Sequence, residues 1–198
     1  VHYEHLEEGM RLKKFRSLTL ITSAVAALGL GAALFFGTTS AVAATAQQTN
    51  AKPASTSVTD WTTFYGWVDN SPPGGAIDHP CIHQTAGGVG TYSNPVTFAE
   101  PNDLNGPWCQ IIYVPGLKKY FIHEDQCDPC GGVNTDHVDL WMGGNSASTK
   151  SPEKSALLNC EDKWTTHQTV IENPSSTEPV DTTPLFSPPT TCHGGSGD

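Results

Sequence analysis

Between residues 60 and 164 the apolar side chains come in short runs, and Gly, Pro or Asn bounds each run. Trp61–Trp67 (WTTFYGW) is dense in aromatic and β-branched residues, and Val96–Ala99, Cys109–Val114 and Tyr120–His123 are compact apolar segments. His137–Met142 sets Val138, Leu140 and Met142 against His137, Asp139 and Trp141, the period of two that a strand imposes. Pro115-Gly116 predicts a turn between two of these strands. One short helix is expected at Pro152–Asn159, with Ser151 as its N-cap and Pro152 at the first helical position. Gly87-Gly88-Val89-Gly90 lacks the Lys-Ser/Thr of a phosphate loop and reads as a tight crossing. Many short strands separated by Gly/Pro turns predict a small barrel or sandwich.

The flanks read differently. Residues 10–43 have the three parts of a secretory leader: a basic start (Arg11, Lys13, Lys14, Arg16), an apolar run and a small-residue end at Ala41-Val42-Ala43. Residues 1–9 read as an extension ahead of a true start at Met10. An uncleaved membrane anchor is the competing reading of the apolar run, and both readings put the rest of the chain outside the cytoplasm. Residues 44–59 are expected to be a flexible linker, and residues 165–198 a loose Ser/Thr/Pro-rich tail. The folded domain is then 60–164.

Charge and cysteine content narrow the function classes. The whole chain carries a net charge of −10, and loss of residues 1–43 removes four basic and three acidic residues, leaving −11 and no arginine. That argues against nucleic-acid binding, which needs clustered cations to neutralise phosphates. All six cysteines (Cys81, Cys109, Cys127, Cys130, Cys160 and Cys192) lie beyond the leader, so three disulfides are expected, with the pairing open. Cys127-x-x-Cys130 admits zinc or redox readings as well. No second ligand pair accompanies it and no helix is expected to follow, so a disulfide is favoured. A metal-dependent enzyme using His79, His83, His123 or His137 is the outlying alternative.

The stretch 120–141 (YFIHEDQCDPCGGVNTDHVDLW) resembles the double-psi β-barrel signature of expansins, barwin-like and RlpA-like proteins and the related small inverting endoglucanases. Asp125-Gln126-Cys127-Asp128-Pro129-Cys130 is similar to their D-x-C-x-x-C, and His137-Val138-Asp139-Leu140 to their H-F-D-L. Thr63-Phe64-Tyr65-Gly66 is similar to the T-F-Y-G that opens the expansin barrel. The resemblance covers residues 60–160 and implies an all-β, six-stranded, disulfide-stapled double-psi barrel with one or two short helices. Three departures stand out: the second expansin domain is missing, Trp141 replaces the family's Ser, and the glycosidases' N-terminal aspartate has no clean counterpart.

What the resemblance implies is a secreted, monomeric carbohydrate-active protein without a cofactor. The expected partner is cell-wall or plant polysaccharide, with no membrane association once the leader is cleaved. Asp139 takes the general-acid position of the glycosidases, because a sugar leaving group must receive a proton as its bond breaks. Asp69, Asp78 or Asp125 would supply the second carboxylate. Sugar rings stack on aromatic faces, so Thr63, Tyr65, Trp67, His137 and Trp141 are the expected substrate contacts, Trp141 foremost because it shares a face with Asp139. The alternative is a non-catalytic wall-binding or wall-loosening module, in which Asp139 only hydrogen-bonds to glycan.

Overall fold

The computed structural model describes residues 53–101, 106–130 and 137–194. The expected leader and the extension before it lie outside the described residues. Six strands close into a barrel in the order β1-β5-β2-β4-β3-β6. They are β1 (Thr56–Gly66), β2 (Val96–Glu100), β3 (Ile111–Val114), β4 (Lys119–Gln126), β5 (His137–Gly143) and β6 (Thr166–Glu172). β1 runs parallel to β5, and β2 parallel to β4; the other neighbours are antiparallel. One α-helix, α1 (Glu153–Trp164), two short 3₁₀ helices (Asp128–Cys130 and Ser146–Thr149) and a two-stranded ribbon of β7 (Phe186–Ser187) and β8 (Thr191–Cys192) complete the described structure. The architecture is the expected one: all-β, a closed six-stranded barrel, stapled by disulfides.

The core follows from alternation. On β5, Val138, Leu140 and Met142 point into the barrel, where they join Phe64, Phe98, Ile112, Val114 and Phe121 in one buried cluster. Disulfides Cys81–Cys109, Cys127–Cys130 and Cys160–Cys192 pair all six cysteines. Gly88 takes a left-handed conformation (φ 103°), and a Cβ there would lie 1.9 Å from the Pro95 carbonyl oxygen. The expected tight crossing is therefore a place where only glycine fits.

The boundaries need correcting. β1 begins at Thr56, inside the expected linker, because Thr56–Thr62 pairs with β6 from Glu172 back to Thr166. β6 itself lies in the expected loose tail. Its only buried side chain is Val170, and backbone pairing to both β1 and β3 holds it; composition does not register such bonds. The segment after β6 is also held: Tyr113 Oη donates to the Pro179 carbonyl (2.7 Å), Tyr120 Oη to that of Ser175 (2.6 Å), and Lys119 Nζ to that of Asp181. Leu185 and Phe186 are buried beyond these contacts, and Cys160–Cys192 closes the segment. The helix runs to Trp164 rather than Asn159, and its N-cap is Pro152, without a side-chain cap bond, rather than Ser151.

Candidate active site

The parallel register of β1 and β5 sets Trp61 beside His137, Thr63 beside Asp139, and Tyr65 beside Trp141. Residues two apart share a face of a strand, so these six form a two-by-three patch on the outer wall. Four of the five expected substrate contacts and the expected acid stand together there. Trp67 does not join them: it follows the end of β1 and packs, half-buried, against the core.

Thr63 Oγ1 lies 2.7 Å from Asp139 Oδ1 and 2.8 Å from His137 Nε2, and His137 Nδ1 lies 2.9 Å from the Cys130 carbonyl oxygen. A carbonyl can only accept, so Nδ1 carries a proton. Two arrangements of the remaining protons satisfy every atom. In one, Asp139 is protonated and donates to Thr63, which donates to the neutral imidazole. In the other, an imidazolium donates to Thr63, which donates to the carboxylate. One mobile proton separates the two states. Burial favours the neutral one: it lowers the His137 pKa and raises that of Asp139 to about 7, with the charges of Asp69 and Asp125 adding to the rise and the Thr63 bond opposing it.

Other carboxyls surround this chain. Tyr65 Oη donates to Asp125 Oδ2 (2.9 Å), and burial raises Asp125 against the bonds from Gln126, Tyr65 and the Asp78 backbone. Burial and the adjacent Asp125 push the Tyr65 phenol well up. Asp69 accepts from the Gly66 amide (2.8 Å) in the turn after β1 and lies close enough to Glu161 to act on its proton. Burial, then the charge of Asp69, pushes Glu161 up to about 9, so it holds its proton at neutral pH. Asp69 and Asp125 are thus each within electrostatic reach of Asp139, whereas Asp78 is exposed and meets Asp125 through its backbone.

Trp141 corrects the sequence reading. It shares the face of His137 and Asp139, yet it is only 7% exposed, meets Tyr65 edge-on (5.2 Å between centroids) and belongs to the same buried cluster as Leu185 and Phe186. Tyr65 is equally covered. The aromatic residue that reaches solvent on this patch is Trp61, 37% exposed and edge-on to His167. Its signal was the same alternation, Trp61-Thr63-Tyr65. Glu161 was also missed, although Leu157, Cys160 and Glu161 stand at helical spacing on the buried side of α1.

The four histidines do not converge on one site. His83 bridges Glu124 and Asn94, His137 belongs to the proton chain, and His79 and His123 both stack on Trp108. The two groupings of described residues compact enough for a metal, His79/Cys81/Cys109 and Cys127/Cys130/Asp139, each contain a disulfide.

Residues 56–193, the barrel with its C-terminal segment, match the family described as the DDB_G0273701 N-terminal domain. The chain belongs to that family. Uncharacterized protein DDB_G0273701/DDB_G0273221 of Dictyostelium discoideum is 39% identical over 138 residues, 66% of this chain. The match spans 57% of that relative's length. No solved structure matches the chain. The DDB_G0273701 N-terminal domain match begins at the first residue of β1 and ends just after β8, so it takes in β6 and the segment beyond it.

Proposed function

We propose that this protein is a secreted carbohydrate-active protein in which Asp139 is the general acid for cleaving a β-linked cell-wall or plant polysaccharide. The observation that carries the reading is a buried carboxyl with a pKa of about 7, linked through Thr63 to His137. A general acid works best when its pKa lies near the operating pH. Once Asp139 has given its proton to the leaving oxygen, Thr63 is free to donate to the new carboxylate. Asp125, which accepts from Tyr65 and the Gln126 amide, and Asp69, which accepts from the Gly66 amide, are the candidates to activate water. Three disulfides and the leader-like residues 10–43 support export.

A second reading, a wall-binding module that does not cleave, is favoured by one observation. Tyr65 and Trp141 are buried, so the patch offers glycan one exposed aromatic, Trp61, instead of a lined cleft. Reducing-end release from a panel of insoluble glycans separates the two readings. Release by the wild type that is lost in Asp139→Asn supports the acid. Binding without release supports the module, and neither release nor binding sinks both.

A further inference from the structure

The Cys127–Cys130 disulfide lies against the proton chain, and the glycan reading makes no use of it. Cys130 Sγ is 3.6 Å from Asp139 Oδ2, on the opposite oxygen from the one that meets Thr63. Both sulfurs and an Asp139 oxygen lie within 4.8 Å of one another. A sulfur in a disulfide has no proton to give, so the contact with Cys130 supplies no donor to Asp139 Oδ2.

A structural role explains this bond poorly. A disulfide stabilises largely by closing a loop in the unfolded chain, and the gain grows with loop length. Cys127 and Cys130 are 3 residues apart, against 28 for Cys81–Cys109 and 32 for Cys160–Cys192. The Cys130 amide already bonds to the Cys127 carbonyl (3.3 Å), so the backbone turn has a tie of its own. The two sulfurs are also unequal: Cys127 is 8% exposed, whereas Cys130 is half-buried.

We propose that Cys127–Cys130 is a thiol–disulfide exchange site, with Cys130 the sulfur attacked and Asp139 the proton donor to the sulfur that leaves. An alkyl thiolate attacks Cys130 Sγ and forms a mixed disulfide. The Cys127–Cys130 bond breaks, and its electron pair leaves on Cys127 Sγ, which takes the proton of Asp139. A second thiolate attacks the alkyl sulfur of the mixed disulfide, the alkyl disulfide departs, and Cys130 Sγ takes up a proton from solvent or from the refilled Asp139. Two thiols are oxidised to one disulfide while the protein disulfide is reduced to two thiols, and the reverse reaction uses the same groups. A buried acid with a pKa of about 7 is suited to protonating a leaving thiolate near neutral pH.

The test exposes the whole protein to glutathione at graded ratios of thiol to disulfide, quenches in acid, alkylates free thiols and maps them by mass. Cys127 and Cys130 are expected to be labelled together at a ratio at least tenfold lower than the other four cysteines. At pH 6–7 the initial rate in Asp139→Asn is expected to fall about tenfold, and the inflection of its pH profile near 7 is expected to disappear. Because the readout is thiol labelling, a failed glycan assay leaves this result standing, and the reverse also holds. Labelling of all six cysteines in one step overturns the proposal, because it reports unfolding. A rate and pH profile unchanged in Asp139→Asn remove Asp139 from the step. In the acid-quenched mixed disulfide, glutathione is expected on Cys130; glutathione mapped to Cys127 instead overturns the assignment of the attacked sulfur.

Discussion

Glu124 and Asp139 are both buried carboxyls of this barrel, and the chain treats them in opposite ways. Glu124 Oε1 accepts from the amides of Cys81, Ile82 and His83, and Oε2 from Thr97 Oγ1 and the His83 ring at 2.6 Å. Burial pushes its pKa up, but the His83 and Ile82 bonds outweigh that and hold it below the ordinary value. Asp139 has one hydroxyl and one sulfur beside it, and burial wins. Glu124 is a charge satisfied by five donors and pins the 79–83 loop to β4. Asp139 is an acid left short of donors, so its proton is available for chemistry. The number of donors, rather than depth, separates a structural carboxylate from a candidate catalytic one.

The largest effect that would break this contrast is expected at Glu124. Glu124→Ala should cost at least about 3 kcal/mol, because it leaves three loop amides and His83 without their acceptor; urea unfolding measures it. A cost below about 1 kcal/mol, the net worth of a single ordinary hydrogen bond, would mean that the loop holds itself.

Asp139→Asn should behave in the opposite sense. Glycan cleavage is expected to fall by about 10² to 10⁴, while the thermal midpoint stays within a few degrees. A variant that unfolds instead would class Asp139 with Glu124.

The pH dependence of stability sharpens the contrast further. Asp139 and Glu100 are raised to about 7 and Glu161 to about 9, chiefly by burial. Above about pH 4 the unfolded chain releases these protons first, so the folded state binds more protons and stability falls as pH rises toward about 9. Glu124 has the opposite sign: its contribution is lost as pH falls through its depressed folded pKa, below its ordinary value of 4.5. The thermal midpoint is therefore expected to be highest near pH 5 and lower by at least about 5 °C at pH 8.5, and Glu161→Gln should flatten the alkaline limb. A midpoint that rises between those two pH values would contradict the burial account.

The smallest effect is expected at Trp61. Trp61→Ala should weaken glycan binding by about five- to tenfold, of order 1 kcal/mol, with little change in stability because the ring is partly exposed. Pull-down on the insoluble glycan measures it.

Much of this was legible from local pattern. The alternation of HVDLWM placed Val138, Leu140 and Met142 inside and put Asp139 on the wall with His137, and the apolar runs at β2, β3 and β4 marked the core. What covers a face was not legible. Trp141 lies on the predicted side of β5, but a packed C-terminal segment that reads as loose is part of its surroundings. β6 escaped notice because its side chains are mostly polar and its stability lies in backbone pairing. Glu124 was passed over beside Asp125, because its partners come from a loop 41 to 43 residues away.

The bonds that tie residues 175–181 to the barrel run to their backbone: Tyr113, Tyr120 and Lys119 donate to the carbonyls of Pro179, Ser175 and Asp181, while the Glu178 amide donates to Tyr120 Oη and the Asp181 amide to the Lys118 carbonyl. The barrel therefore grips that stretch as a ribbon and asks almost nothing of its side chains. Spelling there can drift, or hydroxyls there can be decorated with sugars, while the grip stays the same. The side-chain requirements sit instead on the barrel's two tyrosines and one lysine, so a change at those three would loosen a segment that changes along its own length would leave in place.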